Sequence, residues 1–302
     1  MERFEALKKR LNESCPELEL LEQEPLSRHT TFRVGGPVPL MALPRTAEQA
    51  AAAVRIAAEE GVEPFFMGNG SNLLAADEGA DVFVVKTVNA LNEVCVEGET
   101  LLAQSGVLLS RLALAARNHG LTGLEFAHGI PGSLGGAVTM NAGAYDGEMS
   151  QVVTAVTLLD GTGREETTDR FDFSYRHSAF SDGKRMILSV HLTLRKGDPA
   201  QIQARMEELM ERRRSKQPLE WPSAGSTFKR PQGGFAAAMI DQCGLKGLSV
   251  GGAQVSEKHA GFVVNKGGAT CADILALMEL VQQRVYDRFG VMLEPEVKLL
   301  GR

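Results

Sequence analysis

The sequence predicts an α+β protein, because short β-type runs and amphipathic helical segments follow one another without any internal repeat. A glycine-rich segment at residues 129–148 interrupts these elements near the middle of the chain. Beyond residues 196–199 the composition changes from strand-rich to helix-rich, which indicates a domain boundary there. The 302 residues are enough for two or three domains, each with a core of its own.

The first half of the chain alternates helices and strands. An amphipathic helix opens the chain, and a second is predicted over 46–61, with Thr46 and Gln49 in capping-box spacing and Gly61 at its end. A third, over 109–119, stops at Gly120. The region 25–36 is β-prone, and strands are predicted at 38–44, 64–67, 82–86, 93–97 and 101–104.

After the glycine-rich segment, a strand over 152–159 leads through a turn at 160–163 into residues 164–167. Pro199 begins a long charged helix that reaches residue 216. The remaining elements are strands at 186–194, 248–255, 262–264 and 292–300, and helices at 235–243 and 272–289.

Composition and charge exclude several classes of protein. A net charge of −6 argues against a nucleic-acid partner, since the neutralisation of phosphates needs clustered Lys and Arg. The charged amino terminus lacks the apolar region of a signal peptide, and no apolar run is long enough for a membrane span. The four cysteines lie far apart, without metal-ligand spacing, which is typical of free thiols in a reducing cytoplasm. We expect no metal site and a cytoplasmic protein.

Two glycine-rich segments are candidates for anion binding. Residues 129–148 and the run GNGSNLL at 68–74 can each bring backbone N–H groups close to phosphate oxygens. Apolar residues alternate with the glycines in the first segment, which favours a packed loop over an ordinary surface loop. GNGSNLL is not a dinucleotide fingerprint, because Leu73 occupies its sixth position. Two such nests predict one large ligand with a diphosphate.

Three further residues stand out by their surroundings. Arg176 lies between aromatic residues in FSYRHSAF, Ser226 follows a glycine in SAGSTFKRP, and Glu296 lies in the apolar run LEPEVKLL. Taken singly each has an ordinary structural explanation; for Glu296 it is a salt bridge to Arg176 or Lys298.

Six motifs taken together favour a functional role for these three residues over a structural one. TTFRVGG, GNGSNLL, GIPGSLGGAVTMNAGAYDGE, YRHS, AGSTFKRP and LEPEVK, in this order, resemble the UDP-N-acetylenolpyruvoylglucosamine reductase family over about residues 24–302. The resemblance implies a two-lobed FAD-binding domain of the vanillyl-alcohol oxidase type over 1–196, with lobes at about 20–90 and 91–196. It also implies an α+β substrate-binding domain over 197–290 and a terminal strand, 291–302, that returns to the active site.

The same resemblance implies roles for individual residues. Arg176, Ser226 and Glu296 match the family's catalytic arginine, proton-donating serine and carboxylate. Lys216, Lys229 and Tyr145 match positions that bind substrate. The residues that the resemblance assigns to the cofactor are Arg33, Gly68, Asn69, Gly70, Ser71, Asn72, Leu73, Gly129, Ile130, Pro131, Gly132, Ser133, Gly135, Gly136, Ala137, Asn141, Ala142, Gly143, Arg213 and Lys298.

The resemblance further implies non-covalent FAD, NADPH as reductant and UDP-N-acetylglucosamine enolpyruvate as substrate, with the product used in peptidoglycan synthesis. The chain is similar to the short form of the family, since no tyrosine-bearing loop fits between residues 194 and 226. We expect a monomer. Two alternatives stay open: a flavin-dependent oxidase of the same fold that acts on a small hydroxy acid, and a nucleotide-sugar binding protein without activity.

Overall fold

The computed structural model describes residues 2–88 and 90–301. The chain divides into two compact units, and each unit is assembled from three separate segments. The first unit contains Met1–Glu22, Pro39–Asn69 and Val82–Arg212, and the second contains Gln23–Val38, Gly70–Asp81 and Arg213–Arg302.

The helices agree closely with the sequence patterns, apart from one that the sequence did not predict. The described residues form α1 Glu2–Ser14, α2 Ala47–Glu59, α3 Leu109–Asn118, α4 Leu134–Thr139, α5 Pro199–Lys216, α6 Ala236–Gln242 and α7 Cys271–Phe289. Thr46 caps α2 by accepting the Gln49 amide at 3.2 Å, but the Gln49 side chain accepts the amide of Arg45 rather than that of Thr46. The predicted capping box is therefore only half formed.

The strands are short, as the turn residues between them predict. They are β1 Glu19–Pro25, β2 Pro37–Leu43, β3 Pro64–Met67, β4 Leu73–Ala75, β5 Phe83–Lys86, β6 Val94–Glu97, β7 Thr100–Gln104, β8 Leu121–Thr122, β9 Gly143–Ala144, β10 Gly147–Glu148, β11 Val153–Leu159, β12 Glu165–Thr168, β13 Met186–Thr193, β14 Arg195–Lys196, β15 Ser249–Val250, β16 Ala253–Val255, β17 Val263–Asn265 and β18 Lys298–Leu300.

Two main sheets organise the first unit. One has the order β1-β2-β5-β3, with β2 and β3 both parallel to β5. The other is antiparallel, with the order β12-β11-β13-β7-β6. Helices α1 and α2 pack on the first sheet through Leu7, Leu11 and Ile56, and α3 and α4 contribute to the core of the second sheet.

The second unit is built around α7 and a three-stranded antiparallel sheet, β15-β16-β17. Thr270 and Asp273 form a capping box at the start of α7, and Gly290 ends the helix in the left-handed conformation. Strand β18 pairs in parallel with β4, which immediately follows the GNGSN run. The carboxyl-terminal chain therefore lies beside the end of this glycine-rich loop.

Several elements differ from the sequence predictions. The β-prone region 25–36 forms a 3-10 helix at Leu26–Arg28 rather than a strand, and the predicted strand over 248–255 divides into β15 and β16. Strands β4, β8, β9, β10 and β14 were not predicted. Strand β1 was not predicted because its sequence, ELLEQEP, has little β propensity, and its strand conformation comes from its place in the sheet. Helix α4 lies inside the glycine-rich segment 129–148, where a packed loop was predicted; burial of Leu134 and Val138 compensates for its glycines. The predicted strand over 292–300 narrows to β18, since residues before it make only an isolated bridge at Pro295.

The described residues were also compared with the requirements of a membrane span, a metal site and a disulfide bond. None of their helices has the length and apolar character needed to cross a lipid bilayer. They include no group of three or more His, Cys, Asp or Glu side chains that is suited to a metal ion. The four cysteines, all of which lie in the described part of the chain, form no disulfide bonds.

Candidate functional site

The glycine-rich segment 129–148 folds into a turn, the short helix α4 and the hairpin β9–β10. The amide of Leu134 donates to the Val107 carbonyl and that of Gly135 to the Ser105 carbonyl, each at 2.8 Å. A Cβ at Gly135 would lie 2.9 Å from the Ser105 Cβ, so glycine here permits close packing within the protein. Part of the predicted nest of N–H groups is thus already used by the chain itself.

Ser133 gives this segment a hydroxyl group suited to a ligand. It is the N-cap residue of α4, but its side chain makes no capping bond. Its Oγ is buried and has no hydrogen-bond partner among the described residues. Gly68 lies against it, and a Cβ there would be 2.2 Å from this Oγ. An unsatisfied buried hydroxyl carries a cost that a ligand oxygen would remove.

The first two residues of the GNGSNLL run, Gly68 and Asn69, lie in the first unit. The side chain of Asn69 contacts the 129–148 segment. Its Nδ2 donates to the Pro131 carbonyl at 2.6 Å. The two nests that were predicted separately from sequence are thus hydrogen-bonded to one another. Ile130 and Pro131 precede α4, and Ala137 lies within it, with its side chain in the core of this unit.

The rest of the run lies in the second unit. Gly70 has a φ of 61°, and its carbonyl accepts the Thr31 amide at 3.3 Å. Leu73 is buried at the start of β4, where it pairs with Lys298, so its side chain serves packing. Ser71 is half-buried between them.

Arg33 belongs to the loop that precedes β2 in the second unit. It is exposed and has a φ of 56°, an unusual conformation for a residue with a side chain. Its amide donates to the Thr30 carbonyl at 3.1 Å, and the Thr30 hydroxyl donates to the Val34 carbonyl at 2.9 Å. Nearby, the His29 ring lies 2.9 Å from a Glu24 carboxylate oxygen.

Arg176 lies at the tip of a tight turn in the first unit. Ser174 and His177 exchange two backbone hydrogen bonds across this turn, at 3.1 and 3.2 Å. Arg176 has a φ of 56°, and its guanidinium lies 5.2 Å from the centre of the Tyr175 ring. Such left-handed backbone conformations in residues other than glycine concentrate at functional sites. The half-buried position agrees with the aromatic shielding that the sequence indicated.

Asn141 connects the Arg176 turn to the glycine-rich segment. Its side chain is 2% exposed; its Nδ2 donates to the Ser174 carbonyl at 3.1 Å and its Oδ1 accepts the Ser150 amide at 3.0 Å. The Ser178 and Ser181 hydroxyls both donate to the Thr139 carbonyl, at 2.8 and 2.9 Å. The family resemblance implies a cofactor role for Asn141, and nothing in the sequence indicates this link.

Tyr145 occupies the tip of the β9–β10 hairpin, also in the first unit. Tyr145 and Asp146 both have positive φ, 53° and 68°. This backbone matches the two-residue turns that favour hairpins. At the base of the hairpin, Gly143 leaves no room for a side chain, since a Cβ would lie 2.7 Å from the Gly147 carbonyl. Ala142 donates its amide to the Ala137 carbonyl at 2.8 Å.

Ser226 and Glu296 are brought onto neighbouring extended segments of the second unit. The Glu296 amide donates to the Thr227 carbonyl at 2.9 Å, and the Lys229 amide donates to the Glu294 carbonyl at 2.8 Å. Ser226 is exposed and Glu296 is half-buried. Two residues that sequence alone could only single out separately therefore belong to one constellation.

Thr227 is a residue of this constellation that sequence reasoning missed. It is 1% exposed, and its hydroxyl accepts the Val263 amide at 2.9 Å. Its own amide donates to the Gly261 carbonyl, also at 2.9 Å. Thr227 therefore fixes the backbone next to Ser226 on both sides. In the sequence, the only signal for Thr227 is its position directly after Ser226.

Two lysines add positive charge near these segments. Lys229 forms an ion pair with the Glu294 carboxylate. Desolvation by the surrounding protein, and then the charge of Lys229, lowers the pKa of the Lys298 ammonium. An anionic ligand beside Lys298 would oppose that effect, because a negative charge favours the protonated amine.

Lys216 is the last residue of α5, and it is exposed. The Gln217 amide still donates to the Arg213 carbonyl at 2.8 Å, and Pro218 follows. Arg213, one turn earlier, is only 9% exposed. Because Arg213 is buried and Lys216 is exposed at the same end of α5, we expect the two side chains to have different roles.

The comparisons with known proteins agree with this arrangement. Residues 38–169 match a family described as FAD binding domain, and residues 217–300 match one described as UDP-N-acetylenolpyruvoylglucosamine reductase, C-terminal domain. Proteins named UDP-N-acetylenolpyruvoylglucosamine reductase are similar along nearly the full chain. The Clostridium novyi protein is 48% identical, over 91% of this chain and 90% of that protein. The Alkaliphilus oremlandii protein is 45% identical over 97% of both.

Solved structures support the same family and fold. The UDP-N-acetylenolpyruvylglucosamine reductase (MurB) from Thermus caldophilus has a TM-score of 0.80 at 34% identity, covering 94% of this chain and 98% of that one. The Bermuda grass isoallergen BG60 has a TM-score of 0.52 at 16% identity, covering 64% of this chain and 44% of that one. The second likeness concerns fold alone. The predicted α+β fold with an FAD-binding domain is confirmed.

Proposed function

The chain belongs to the UDP-N-acetylenolpyruvoylglucosamine reductase family, and from this premise we propose that it reduces the enolpyruvyl group of UDP-N-acetylglucosamine enolpyruvate. The product is UDP-N-acetylmuramate, a precursor of peptidoglycan, and NADPH is the reductant. The 48% identity over 91% of the chain carries this proposal. The pairing of the Ser226 and Glu296 segments supports it, since the reaction needs a proton donor and a carboxylate close together.

FAD fits the residues present. The unsatisfied Ser133 hydroxyl can donate to a phosphate oxygen, and Gly68 keeps side chains away from it. The Asn69 bond to Pro131 supports a shared task for both glycine-rich segments. When bound, FAD accepts a hydride from NADPH and delivers one to the terminal enolpyruvyl carbon. We propose that the residues assigned to the cofactor by resemblance hold FAD without a covalent bond.

In the proposed mechanism, hydride addition to the terminal carbon breaks the carbon–carbon double bond and leaves negative charge on the substrate carboxylate as an enolate. Arg176 stabilises that charge with a permanent, bidentate cation. Ser226 donates a proton to the adjacent carbon, and this completes the saturated product. Glu296 orients or polarises the groups around the carboxylate.

The Lys229 ion pair bears on how Ser226 becomes acidic. Because its ammonium is engaged by Glu294, Lys229 is poorly suited to activate the Ser226 hydroxyl directly. Lys229 instead contributes positive charge to the region where the anionic substrate would bind. We propose that Lys216, Lys229 and Tyr145 bind the substrate and that fixed cations replace the absent tyrosine loop.

Several finer proposals follow from family membership. We propose a cytoplasmic monomer that takes part in cell-wall biogenesis and so in cell shape and division. We keep the division into an FAD-binding domain over 1–196, a substrate-binding domain over 197–290 and a terminal strand over 291–302. Parallel pairing of β18 with β4 supports the return of that strand toward the glycine-rich loop.

One assay tests the proposal against its alternatives. The purified protein should be yellow, and after the initial reduction of its flavin it should continue to oxidise NADPH only when the enolpyruvyl substrate is added. Acid precipitation should release all the chromophore, and colour kept in the pellet would refute non-covalent binding. Consumption of O₂ with a hydroxy acid and no use of NADPH would favour the oxidase, and a colourless protein that binds UDP-sugars would favour the binding protein.

A further inference from the structure

The side chain of Asn72 contacts the segment that carries Glu296. Its Nδ2 donates to the Glu296 carbonyl at 3.1 Å, across 224 positions of the sequence. The carbonyl of Asn72 accepts the Lys298 amide at 2.9 Å. These two bonds hold residues 296–298 from one side, and the β4–β18 pairing begins directly after them.

The amide of Glu296 is held as well. It donates to the Thr227 carbonyl at 2.9 Å, so both backbone polar groups of Glu296 are used. These two hydrogen bonds restrain the backbone of Glu296 and therefore the position from which its side chain leaves the chain. Of the two contacts, only the one from Asn72 depends on a side chain.

We propose that Asn72 is a positioning residue for Glu296, an inference that rests on the proposed function. The resemblance placed Asn72 among the cofactor residues, but its side-chain amide donates a hydrogen bond to the backbone carbonyl of Glu296. Asn72 acts on the step that consumes the enolpyruvyl group, through the placement of Glu296. Small displacements of a group that acts in the transition state are costly to the rate.

Asn69 provides a matched comparison within the same loop. Its Nδ2 also donates to a backbone carbonyl, but to that of Pro131 in the 129–148 segment. Removal of either amide deletes one side-chain hydrogen bond to the backbone. The two substitutions should nevertheless damage different functions, because the bonds end on different segments.

The experiment separates FAD affinity from the two half-reactions. Apoprotein titration by flavin fluorescence gives the FAD Kd, and stopped-flow absorbance follows flavin reduction by NADPH and reoxidation by the enolpyruvyl substrate. We expect Asn72→Ala, and the isosteric Asn72→Asp, to slow reoxidation about tenfold or more, with FAD Kd and NADPH reduction within about twofold of wild type. Asn69→Ala should instead raise the FAD Kd about fivefold or more, as expected for a lost hydrogen bond.

A double-mutant cycle tests whether Asn72 acts through Glu296. In a Glu296→Gln background, adding Asn72→Ala should slow reoxidation by less than about threefold, because the group that it positions has already been altered. Full additivity would overturn the proposal. Thr270→Val removes a hydroxyl that accepts the Asp273 amide at 3.0 Å in the same unit and should leave all three quantities unchanged.

The remaining outcomes are also decisive. If wild type turns over but Asn72→Ala and Asn72→Asp raise the FAD Kd without slowing reoxidation, Asn72 is a cofactor residue and the proposal fails. Wild-type rates in both Asn72 variants would overturn it equally. If wild type fails to reoxidise with the enolpyruvyl substrate, the proposed function fails and this inference fails with it.

Discussion

Two regions of the molecule differ in the sequence separation of the contacts that hold them. They are the segment 129–148 and the paired segments around Ser226 and Glu296. In the first, Asn141 reaches Ser150 and Ser174, which lie 9 and 33 positions away in the sequence. In the second, Glu296 is held by residue 227 and by Asn72, which lies 224 positions away. The first region depends on glycines and one buried asparagine, and the second depends on distant strands meeting correctly.

This difference predicts different sensitivities. Substitutions in the first region disturb a local turn, so the damage should spread to Arg176 through the shared backbone. In the second region the backbone has several long-range supports, and a substitution of an exposed side chain such as Ser226 should alter chemistry while the structure is kept.

Ser226→Ala should have the largest effect on turnover. A positioned general acid contributes about 10²–10⁴-fold, so we expect turnover to fall about 10³-fold while substrate still binds. Flavin reduction by NADPH should run at nearly the normal rate in stopped-flow measurements. Ser223→Ala, three residues earlier, is the matched control and should keep wild-type turnover. Turnover of Ser226→Ala within a few-fold of wild type would remove it from the acid role and point to water or Lys229.

Arg176→Lys keeps the charge but loses the planar fork that binds a carboxylate. We expect turnover to fall about 10²-fold, a loss typical for one oriented donor, with NADPH reduction much less affected. Arg185→Lys is the control, since Arg185 also lies 5.2 Å from an aromatic ring centre, that of Phe180, and is proposed for no step. Equal damage to both half-reactions by Arg176→Lys would identify a structural role.

Asn141→Ala tests how far the local turn depends on one buried side chain. The substitution removes the acceptor of the Ser150 amide and one of the two donors to the Ser174 carbonyl, which keeps the His177 amide. We therefore expect the unfolding free energy to fall by about 1–3 kcal/mol in urea denaturation. Turnover should also fall, because the Ser174 carbonyl belongs to the Arg176 turn. Thr157→Ala, which removes an exposed hydroxyl contact to Thr167, should cost less than about 0.5 kcal/mol. Equal stability losses in the two variants would contradict this role.

Lys216→Ala should have the smallest effect. If Lys216 binds the substrate diphosphate, KM for the UDP substrate should rise about tenfold, while flavin reduction by NADPH changes little. If the basic residues at the end of α5 only complement the helix dipole, KM should stay constant and stability should fall by a few tenths of a kcal/mol, about as much as in Arg214→Ala. An unchanged KM would defeat the idea that fixed cations replace the tyrosine loop.

The sequence by itself determined most elements of the fold. Helix α5 and strand β3 have the predicted ends, because proline, glycine and capping residues act on their own neighbours along the chain. The six motifs also determined the family, since their order and spacing need no structure to be read.

Only the tertiary structure decided how the candidate site is supported. Helix α4 exists because Leu134 and Val138 are buried in a core, which outweighs the weak helix propensity of its glycines. The roles of Thr227 and Asn72 depend on backbone groups of Val263 and Glu296 that no local pattern indicates. Hydrogen bonds between segments so far apart in the chain form only when a folded core holds those segments together, so no local window of sequence contains them.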